Sequence, residues 1–311
     1  MEFKLGIIGL GVISKFYLDA IGYLENVKLI AVCDINIKKL EKFSEQGIDC
    51  YKDYKLLFQR TDLDGVIINA PNDKHYEICK HALELGINVC CEKPLTTKID
   101  DARELSLIAK KKKTTLFTAF HRRYNENFLA GLKKINFIKD ITKVKASYLE
   151  DIKEHAGNDS WYLEPKKCGG GCVVDNGPNV FDTLSFFLGE LHVTDVEVIR
   201  NNQDIDLQAF VKLKNNEGIP IEVELDWEYK FGEKKDVEIF TKDGKCIFID
   251  MLNNFTIFKS SLYHEYREII KDFCQIINEG AQYGEAGLDA VRLVNSVYSM
   301  EKLNASKEGI K

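Results

Sequence analysis

The sequence lacks several features that would assign the protein to a special class. It contains no apolar run near the roughly 20 residues that a membrane-spanning helix needs, so we expect no membrane partner. It lacks a basic excess, since 43 Lys and Arg stand against 49 Asp and Glu, and a net charge of −6 gives no general attraction to nucleic acid. It shows no internal repeat and no low-complexity linker. A strand pattern begins within two residues of the start, so we expect no signal peptide.

The cysteines lack the spacing of a disulfide framework or a metal site. There are nine, an odd number, and they are scattered along the chain. Cys168 and Cys172 lie four apart, but no further His or Cys cluster follows to complete a metal site, so we expect no metal. We interpret the cysteines as reduced thiols and expect a cytoplasmic protein.

What the sequence does contain, at residues 4–14, is a strand that enters a glycine turn and opens a helix. Gly9 permits a tight turn, and Gly11 allows the backbone to approach a phosphate closely. The helix that begins near Val12 and Ile13 would direct its unpaired N–H groups toward a pyrophosphate. The alternative is a tight turn that binds no ligand.

A second apolar strand, residues 28–33, ends in Asp34. An acidic side chain at this position can accept hydrogen bonds from both ribose hydroxyls of NAD, and its charge would repel the additional phosphate of NADP. Strand, turn, helix, strand and acid therefore occur in the order that predicts an NAD site, with NADP disfavoured.

Residues 1–120 alternate between strand and helix patterns, and the strands are continuous apolar runs. Such runs are typical of a parallel sheet that is covered on both faces. We therefore predict an N-terminal α/β domain, a doubly wound Rossmann sheet that binds NAD. The predicted strands are 4–8, 28–33, 48–51, 65–69, 88–91 and 115–119, and the predicted helices are 12–23, 37–45, 54–59, 75–85 and 99–111.

Residues 121–311 have a different pattern, in which five consecutive strands follow one another without helices between them. This predicts a large, mostly antiparallel open sheet in a C-terminal α/β domain. The predicted strands are 142–150, 192–200, 206–214, 219–229, 235–241 and 245–250, and the predicted helices are 125–135, 173–188, 263–279 and 287–303.

Polar clusters follow three strands of the N-terminal sheet, where ligands bind in open α/β sheets. We expect these clusters to line the crevice that the cofactor occupies. Their members are Ala70, Pro71, Asn72 and His75, then Glu92, Lys93 and Pro94, and finally Arg122 and Arg123.

Lys93 is the strongest candidate for chemistry among them. It comes directly after a buried strand, and loss of solvent around its amine would lower its pKa toward neutrality. The alternative is a surface lysine paired with Glu92. His75 could equally pack at the start of a helix, and Arg122 and Arg123 could form a solvated or ion-paired turn.

In the C-terminal domain, three glycines at 169–171 precede Asp175 and Asn179. The glycines would let the backbone pass closely beneath a ligand. If a helix runs through this segment, Asp175 and Asn179 share one face, and a buried Asp175 would need a partner such as Lys93. The alternative is that Asp175 caps the following helix.

Taken together, these motifs resemble the Gfo/Idh/MocA family, the relatives of glucose–fructose oxidoreductase and inositol dehydrogenase. The resemblance extends over the whole chain, and its most specific part is Glu92-Lys93-Pro94 combined with the triple glycine and Asp175. It implies an NAD(P)-dependent dehydrogenase or reductase of CH–OH groups. Its substrate would be a sugar, a cyclitol or a related polyol.

The resemblance also implies roles for individual residues. The family's catalytic lysine corresponds to Lys93, the proton carrier, and its aspartate to Asp175, which positions the substrate. Many members carry a His or Tyr where this chain has Asn179, and an amide does not titrate in the working range. We count Asn179 as a third catalytic candidate beside Lys93 and Asp175. The candidate substrate-binding residues are Lys93, Arg123, His155, Trp161, Tyr162, Asp175 and Asn179. The cofactor-binding set comprises the residues of the glycine turn, Asp34, Ala70, Pro71, Asn72, His75, Glu92, Lys93, Pro94 and Arg122.

The resemblance further implies a homodimer or homotetramer that assembles through the C-terminal sheet. Two other functions stay open at this point. The protein could be a regulator that senses NAD and a sugar without turnover, as the presence of Asn179 suggests. It could also be a glycosidase that uses NAD transiently.

Overall fold

The computed structural model describes residues 2–135, 138–156, 160–257, 259–280 and 282–308. The chain forms two compact units. One comprises Met1–Ala119 and Leu262–Leu288, and the other comprises Phe120–Ser261 and Asp289–Lys311.

The first unit contains a parallel six-stranded sheet with the strand order β3-β2-β1-β4-β5-β6. This is a Rossmann sheet, and its order reverses between β1 and β4, where ligands bind in such sheets. Its elements are β1 (Phe3–Ile8), α1 (Ser14–Tyr23), β2 (Val27–Cys33), α2 (Ile37–Ser44), β3 (Asp49–Tyr51), α3 (Tyr54–Leu57), β4 (Gly65–Ile68), α4 (Asn72–Glu84), β5 (Asn88–Glu92), α5 (Ile99–Lys112) and β6 (Leu116–Ala119).

The strands β4, β5 and β6 of this sheet are buried along almost their whole length because helices cover both faces. Every residue of β4 and β6 is buried, and so are four of the five residues of β5. This burial explains why the apolar runs predicted the strands correctly. Helix α4 begins at Asn72, three residues before the predicted start, since Pro71 supplies the preceding cap position.

The second unit is built around a mixed six-stranded sheet with the order β12-β11-β7-β10-β9-β8. Its elements are α6 (Glu126–Leu132), β7 (Ile141–Leu149), α7 (Ile152–Ala156), α8 (Pro165–Cys168), α9 (Cys172–Asp175), α10 (Gly177–Leu188), β8 (Leu191–Arg200), β9 (Asp206–Asn215), β10 (Pro220–Asp226), β11 (Lys234–Thr241) and β12 (Cys246–Asp250).

Side chains along β9 and β10 alternate between buried and more exposed positions, so one face of this sheet packs on the core. Four of its five strand pairs are antiparallel, as predicted. Strands β7 and β10 pair in parallel, which the order of the strands along the chain does not reveal. The predicted helix 173–188 is interrupted at Asn176. Pro178, which has no N–H to donate, lies in the first turn of α10.

Two helices, α11 (Leu262–Glu279) and α12 (Glu285–Glu308), follow the second sheet. We predicted that all of residues 121–311 belong to one domain, but α11 belongs to the first unit. It packs against α1, and its Phe273 ring lies against Gly65, where an added Cβ would come within 2.9 Å of the ring. The apolar residues of α12, including Leu293 and Val297, join the core of the second unit.

All nine cysteines are free, and only Cys246 is exposed. Burial raises the pKa of the Cys33 thiol and that of the Cys274 thiol to about 12, so both are protonated at neutral pH. Across the described residues, no helix combines the length and apolar character needed to cross a membrane.

Candidate active site

The glycine turn between β1 and α1 is closed against the end of β4. Gly9 has a φ of +93° and donates its N–H to Cys33 O at 2.8 Å. A Cβ at this position would lie 2.4 Å from Asn69 O, so no other residue fits without a backbone shift. Val12 and Ile13 are half-buried in the turn, and α1 begins at Ser14, two residues after the predicted start. The turn thus offers the close backbone approach that a dinucleotide requires.

Asp34, at the end of β2, holds this turn through its carboxylate. Its Oδ2 accepts a hydrogen bond from Leu10 N at 2.8 Å, and its Oδ1 accepts one from Asn36 N at 2.8 Å. Lys39 Nζ lies 3.6 Å from Oδ2. A carboxylate has about four lone-pair positions, so Asp34 keeps the capacity to accept a ribose hydroxyl as well.

A cavity of about 410 Å³ lies beside the glycine turn and α2. Its size falls within the range of small-molecule sites, about 300–1,000 Å³. Three lysines and two glutamates line its wall, so the lining carries one excess positive charge. The lining residues are Leu10, Ser14, Lys38, Lys39, Glu41, Lys42, Phe43 and Glu45.

His75 joins the two loops that follow β4 and β5. Its ring is fully buried, with Nδ1 2.7 Å from Pro94 O and Nε2 2.8 Å from Ala70 O. Burial lowers the pKa of this imidazole. A neutral ring can donate to only one of the two carbonyls, whereas the protonated ring can donate to both. Through these two contacts, the His75 ring links main-chain carbonyls of the two loops that we expect to bind the cofactor. The ring itself is enclosed by protein.

The Lys93 turn begins at the end of β5. Lys93 is half-buried, and its peptide bond to Pro94 is cis. The preceding Glu92 is buried, and its carboxyl accepts hydrogen bonds from Tyr17, Tyr266 and the Lys93 N–H. We predicted that Glu92 binds the cofactor, yet the structure directs its carboxyl to these protein donors.

In the second unit, the triple glycine is fixed by Asp206 of β9. The Gly171 and Val173 N–H groups donate to the two Asp206 oxygens at 2.8 and 2.9 Å. A Cβ on Gly171 would lie 2.0 Å from Asp206 O, and one on Gly170 would lie 2.3 Å from the Tyr298 hydroxyl. We expected these glycines to let the backbone pass closely beneath a ligand. At Gly170 and Gly171, however, atoms of Tyr298 and Asp206 occupy the space next to the backbone.

Asp175 and Asn179 follow the glycines on two different short segments of helix. Asp175 is the last residue of α9, and Asn179 lies in the first turn of α10. Both are 2% exposed. The Asn179 Nδ2 donates to His121 Nε2 at 3.1 Å, and the Asn179 Oδ1 has no hydrogen-bond partner among the described residues. The amide is thus held at its nitrogen end while its oxygen can accept a further hydrogen bond.

The two arginines that follow β6 are engaged within the second unit. Arg123 forms a two-bond ion pair with the buried Asp182. Burial raises the pKa of Asp182 to about 6, and the charge of Arg123 opposes this rise. Arg122 is buried and donates to Ser261 Oγ at 3.0 Å, with its guanidinium 5.7 Å from the centre of the Tyr148 ring. The cofactor role of Arg122 and the substrate role of Arg123 stay predictions.

Three further candidates lie on the segment before the glycines. The rings of Trp161 and Tyr162 stack with their centres 4.0 Å apart, and Tyr162 is buried in the core of the second unit. The backbone of His155 belongs to α7, but its side chain lies outside the described part of the structure.

Several pairings that shape these sites could not be predicted from sequence patterns. Tyr17 and Tyr266 hold Glu92, His121 holds Asn179, and Asp206 holds the triple glycine. Within the described ranges, no group of three or more His, Cys, Asp or Glu side chains is placed to bind a metal ion.

The glycine turn with its close backbone approach, the Rossmann strand order and the Lys93 turn define an NAD-binding oxidoreductase. Two family models agree: residues 3–120 match the oxidoreductase family with an NAD-binding Rossmann fold, and residues 136–247 match the GFO/IDH/MocA C-terminal domain. The chain belongs to the GFO/IDH/MocA family, and NAD is its cofactor. The resemblance inferred from the sequence is therefore confirmed.

A relative of known name aligns over nearly the whole chain. The myo-inositol 2-dehydrogenase of Thermotoga maritima is 24% identical over 336 aligned positions, which cover 99% of this chain and 98% of that enzyme. Two solved structures share the fold at lower identity. GenD2 from gentamicin A biosynthesis, in complex with NAD, has a TM-score of 0.87 at 14% identity, covering 96% of this chain and 94% of that one. The scyllo-inositol dehydrogenase of Lactobacillus casei, with NAD(H) and scyllo-inositol, has a TM-score of 0.83 at 18% identity, covering 98% of both chains.

Proposed function

We propose that this protein is an NAD-dependent dehydrogenase that interconverts a secondary alcohol and a ketone on a sugar, a cyclitol or a related polyol. The observation that carries the proposal is the half-buried Lys93 at the carboxyl end of β5, in the unit that contains the glycine turn. Ligands of such sheets bind at this end of the strands. The name of the Thermotoga relative supports the choice of substrate class.

In the proposed oxidation, the neutral amine of Lys93 takes the proton of the substrate hydroxyl. The C–O bond becomes a carbonyl, and the electron pair of the carbinol C–H bond leaves with its hydrogen as a hydride. Bound NAD supplies the acceptor for that hydride. In the reverse direction, the protonated Lys93 returns its proton to the carbonyl oxygen. A positioned acid or base of this kind contributes typically 10²–10⁴-fold to a rate.

Asp175 and Asn179 are proposed to bind the substrate. The oxygen of Asn179 is buried and has no partner within the described residues, which is costly unless a ligand or water supplies a donor. A hydroxyl group can both donate and accept, so a polyol suits such an amide. His121 acts in this proposal by holding the nitrogen end of the amide at 3.1 Å, which fixes the direction of its oxygen.

The function is tested by following NADH absorbance with a panel of free polyols, free sugars and sugar phosphates. The proposal expects turnover with at least one polyol or sugar. NAD binding in calorimetry with no turnover on the whole panel would favour the sensing role instead. Release of an aryl leaving group from aryl glycosides without net NADH would favour the glycosidase.

We expect the Asn179→Leu variant to raise the substrate KM by about 5- to 150-fold, the range that one lost buried hydrogen bond allows. The affinity for NAD serves as the internal control and should stay unchanged. The His121→Phe variant keeps a ring but loses the acceptor for Asn179, so a smaller rise is expected. An unchanged KM in Asn179→Leu would contradict the assignment of this amide to the substrate.

The expected dimer or tetramer stays part of the proposal. The more exposed face of the second sheet carries oppositely charged pairs, such as Lys143 with Glu222 at 2.7 Å, and the exposed Phe210 and Phe248. Aromatic side chains such as these are enriched at interfaces between copies, and the charged pairs would suit the polar rim of such an interface. Light scattering should give a mass of two or four chains, and a single-chain mass would contradict the assembly.

A further inference from the structure

Glu92 is a buried carboxyl in direct contact with the backbone of Lys93. Only 5% of Glu92 is exposed. Its Oε1 accepts hydrogen bonds from the Tyr17 hydroxyl at 2.8 Å and the Tyr266 hydroxyl at 2.7 Å. Its Oε2 accepts one from the Lys93 N–H at 3.1 Å. An ionised carboxylate only accepts hydrogen bonds, so three donors on two oxygens suit the charged form.

The two tyrosines come from helices that pack on each other within the first unit. Tyr17 belongs to α1, which starts at the glycine turn, and Tyr266 belongs to α11. Both side chains are almost fully buried, and their rings meet edge to face with centres 4.8 Å apart. The hydroxyl groups are therefore fixed by packing, and they fix the carboxyl of Glu92 in turn.

We propose that Glu92 is a positioning residue for Lys93, which holds the backbone of that lysine by one hydrogen bond and places a buried carboxyl directly before it in the chain. The inference rests on the proposed role of Lys93 and adds to it a residue that acts through the lysine. It also replaces our sequence prediction that Glu92 contacts the cofactor. Tyr17 and Tyr266 belong to the same arrangement, because they keep the carboxyl in place.

The electrostatic part follows from the charges around the pair. Burial raises the pKa of Glu92, while the charge of Lys93 and the two tyrosine hydrogen bonds lower it. Coupling between two sites is reciprocal, so we expect the negative charge of Glu92 to favour the protonated form of Lys93 in turn. Among the described residues, the titratable groups that interact with this pair include Tyr17 from α1, Tyr266 from α11, Cys90 and Cys91 from β5 and His75 from α4.

The test replaces Glu92 by glutamine, which keeps the shape but removes the charge. We expect kcat on its pH-independent plateau to fall at least about fivefold, since the amide has only one accepting atom for the three donors. We also expect the pKa of Lys93 to fall, because a neighbouring negative charge is lost. The limb of the pH–rate profile that reports the neutral lysine should move to lower pH by the same amount.

The pKa of Lys93 is measured directly, without turnover. Lysines are reductively methylated with ¹³C and followed by NMR titration, and a Lys93→Arg variant identifies the Lys93 signal. Tyr263→Phe is the matched control. Tyr263 lies one turn before Tyr266 on α11 and contacts the Phe16 ring, with the ring centres 5.0 Å apart. This control should leave both kcat and the Lys93 titration unchanged.

The outcomes separate this inference from the proposed function. An unchanged Lys93 titration in Glu92→Gln overturns the inference, whether or not a substrate has been found. A shifted titration in an enzyme whose Lys93→Ala variant keeps full turnover supports the coupling and rejects Lys93 as the proton carrier. If Glu92→Gln does not fold, Tyr17→Phe and Tyr266→Phe are used with the same two measurements. Unchanged values in both of these variants then overturn the inference.

Discussion

The Lys93→Ala variant is expected to lose about 10²- to 10⁴-fold in kcat on whichever polyol or sugar the wild-type enzyme oxidises. The physical reason is that the variant has no amine to accept the proton from the reacting hydroxyl oxygen. NAD affinity, measured by calorimetry, should change little, because Gly9 and Asp34 follow β1 and β2 and are held by hydrogen bonds with Cys33, Leu10 and Asn36. Initial rates of NADH formation provide the measurement.

Two further variants make the interpretation specific. Lys93→Arg keeps a positive charge but cannot release its proton near neutral pH, so it should be as inactive as Lys93→Ala if the lysine carries the proton. Lys98→Ala removes an exposed lysine five positions further along the chain and should retain full activity. Turnover near the wild-type level in Lys93→Ala would refute the proton-carrier role.

The Gly9→Ala variant is expected to lose about 2–5 kcal/mol of unfolding free energy, from left-handed backbone strain and from overpacking. The new methyl group would lie 2.4 Å from Asn69 O at a φ of +93°, so the glycine turn must open or shift. Since the turn also offers its backbone to the pyrophosphate, NAD affinity should fall at least about tenfold. Chemical denaturation and calorimetry with NAD measure the two effects.

Gly47→Ala is the matched control for this experiment. Gly47 also has a positive φ, +74°, but an added Cβ would meet no atom within 4 Å. This substitution therefore isolates the backbone strain, about 1–2 kcal/mol, without the clash. Equal losses of stability in the two variants would show that the contact with β4 is unimportant, and unchanged NAD affinity in Gly9→Ala would remove the turn from the cofactor site.

The parts of this fold that depend on local sequence were predictable. Apolar runs gave the strands of the parallel sheet because both faces of that sheet are buried. The glycine turn predicted the class of cofactor because few residues other than glycine can adopt its backbone conformation. The break between α9 and α10 was missed, since the predicted helix 173–188 runs through it, although Pro178 lies in the first turn of α10.

The supporting contacts of the site were not predictable, because their partners are distant in sequence and carry no pattern. Tyr266 donates to a carboxyl 174 positions earlier, and His121 meets Asn179 across 58 positions. Asp206 looked like an ordinary first residue of a strand, yet it fixes the backbone 35 positions before it. Each pairing depends on how helices pack on sheets, and that is decided by the whole tertiary structure.

The first compact unit is not continuous in the chain, and this affects how the protein is made. On the ribosome, the parallel sheet can form once β6 has emerged, but α11 is still unsynthesised at that stage. Until α11 arrives, Phe16 and Tyr17 of α1 lack the aromatic neighbours that cover them in the native protein. The nascent chain must therefore carry an uncovered apolar surface through the synthesis of the entire second sheet, which makes early contact with a chaperone advantageous.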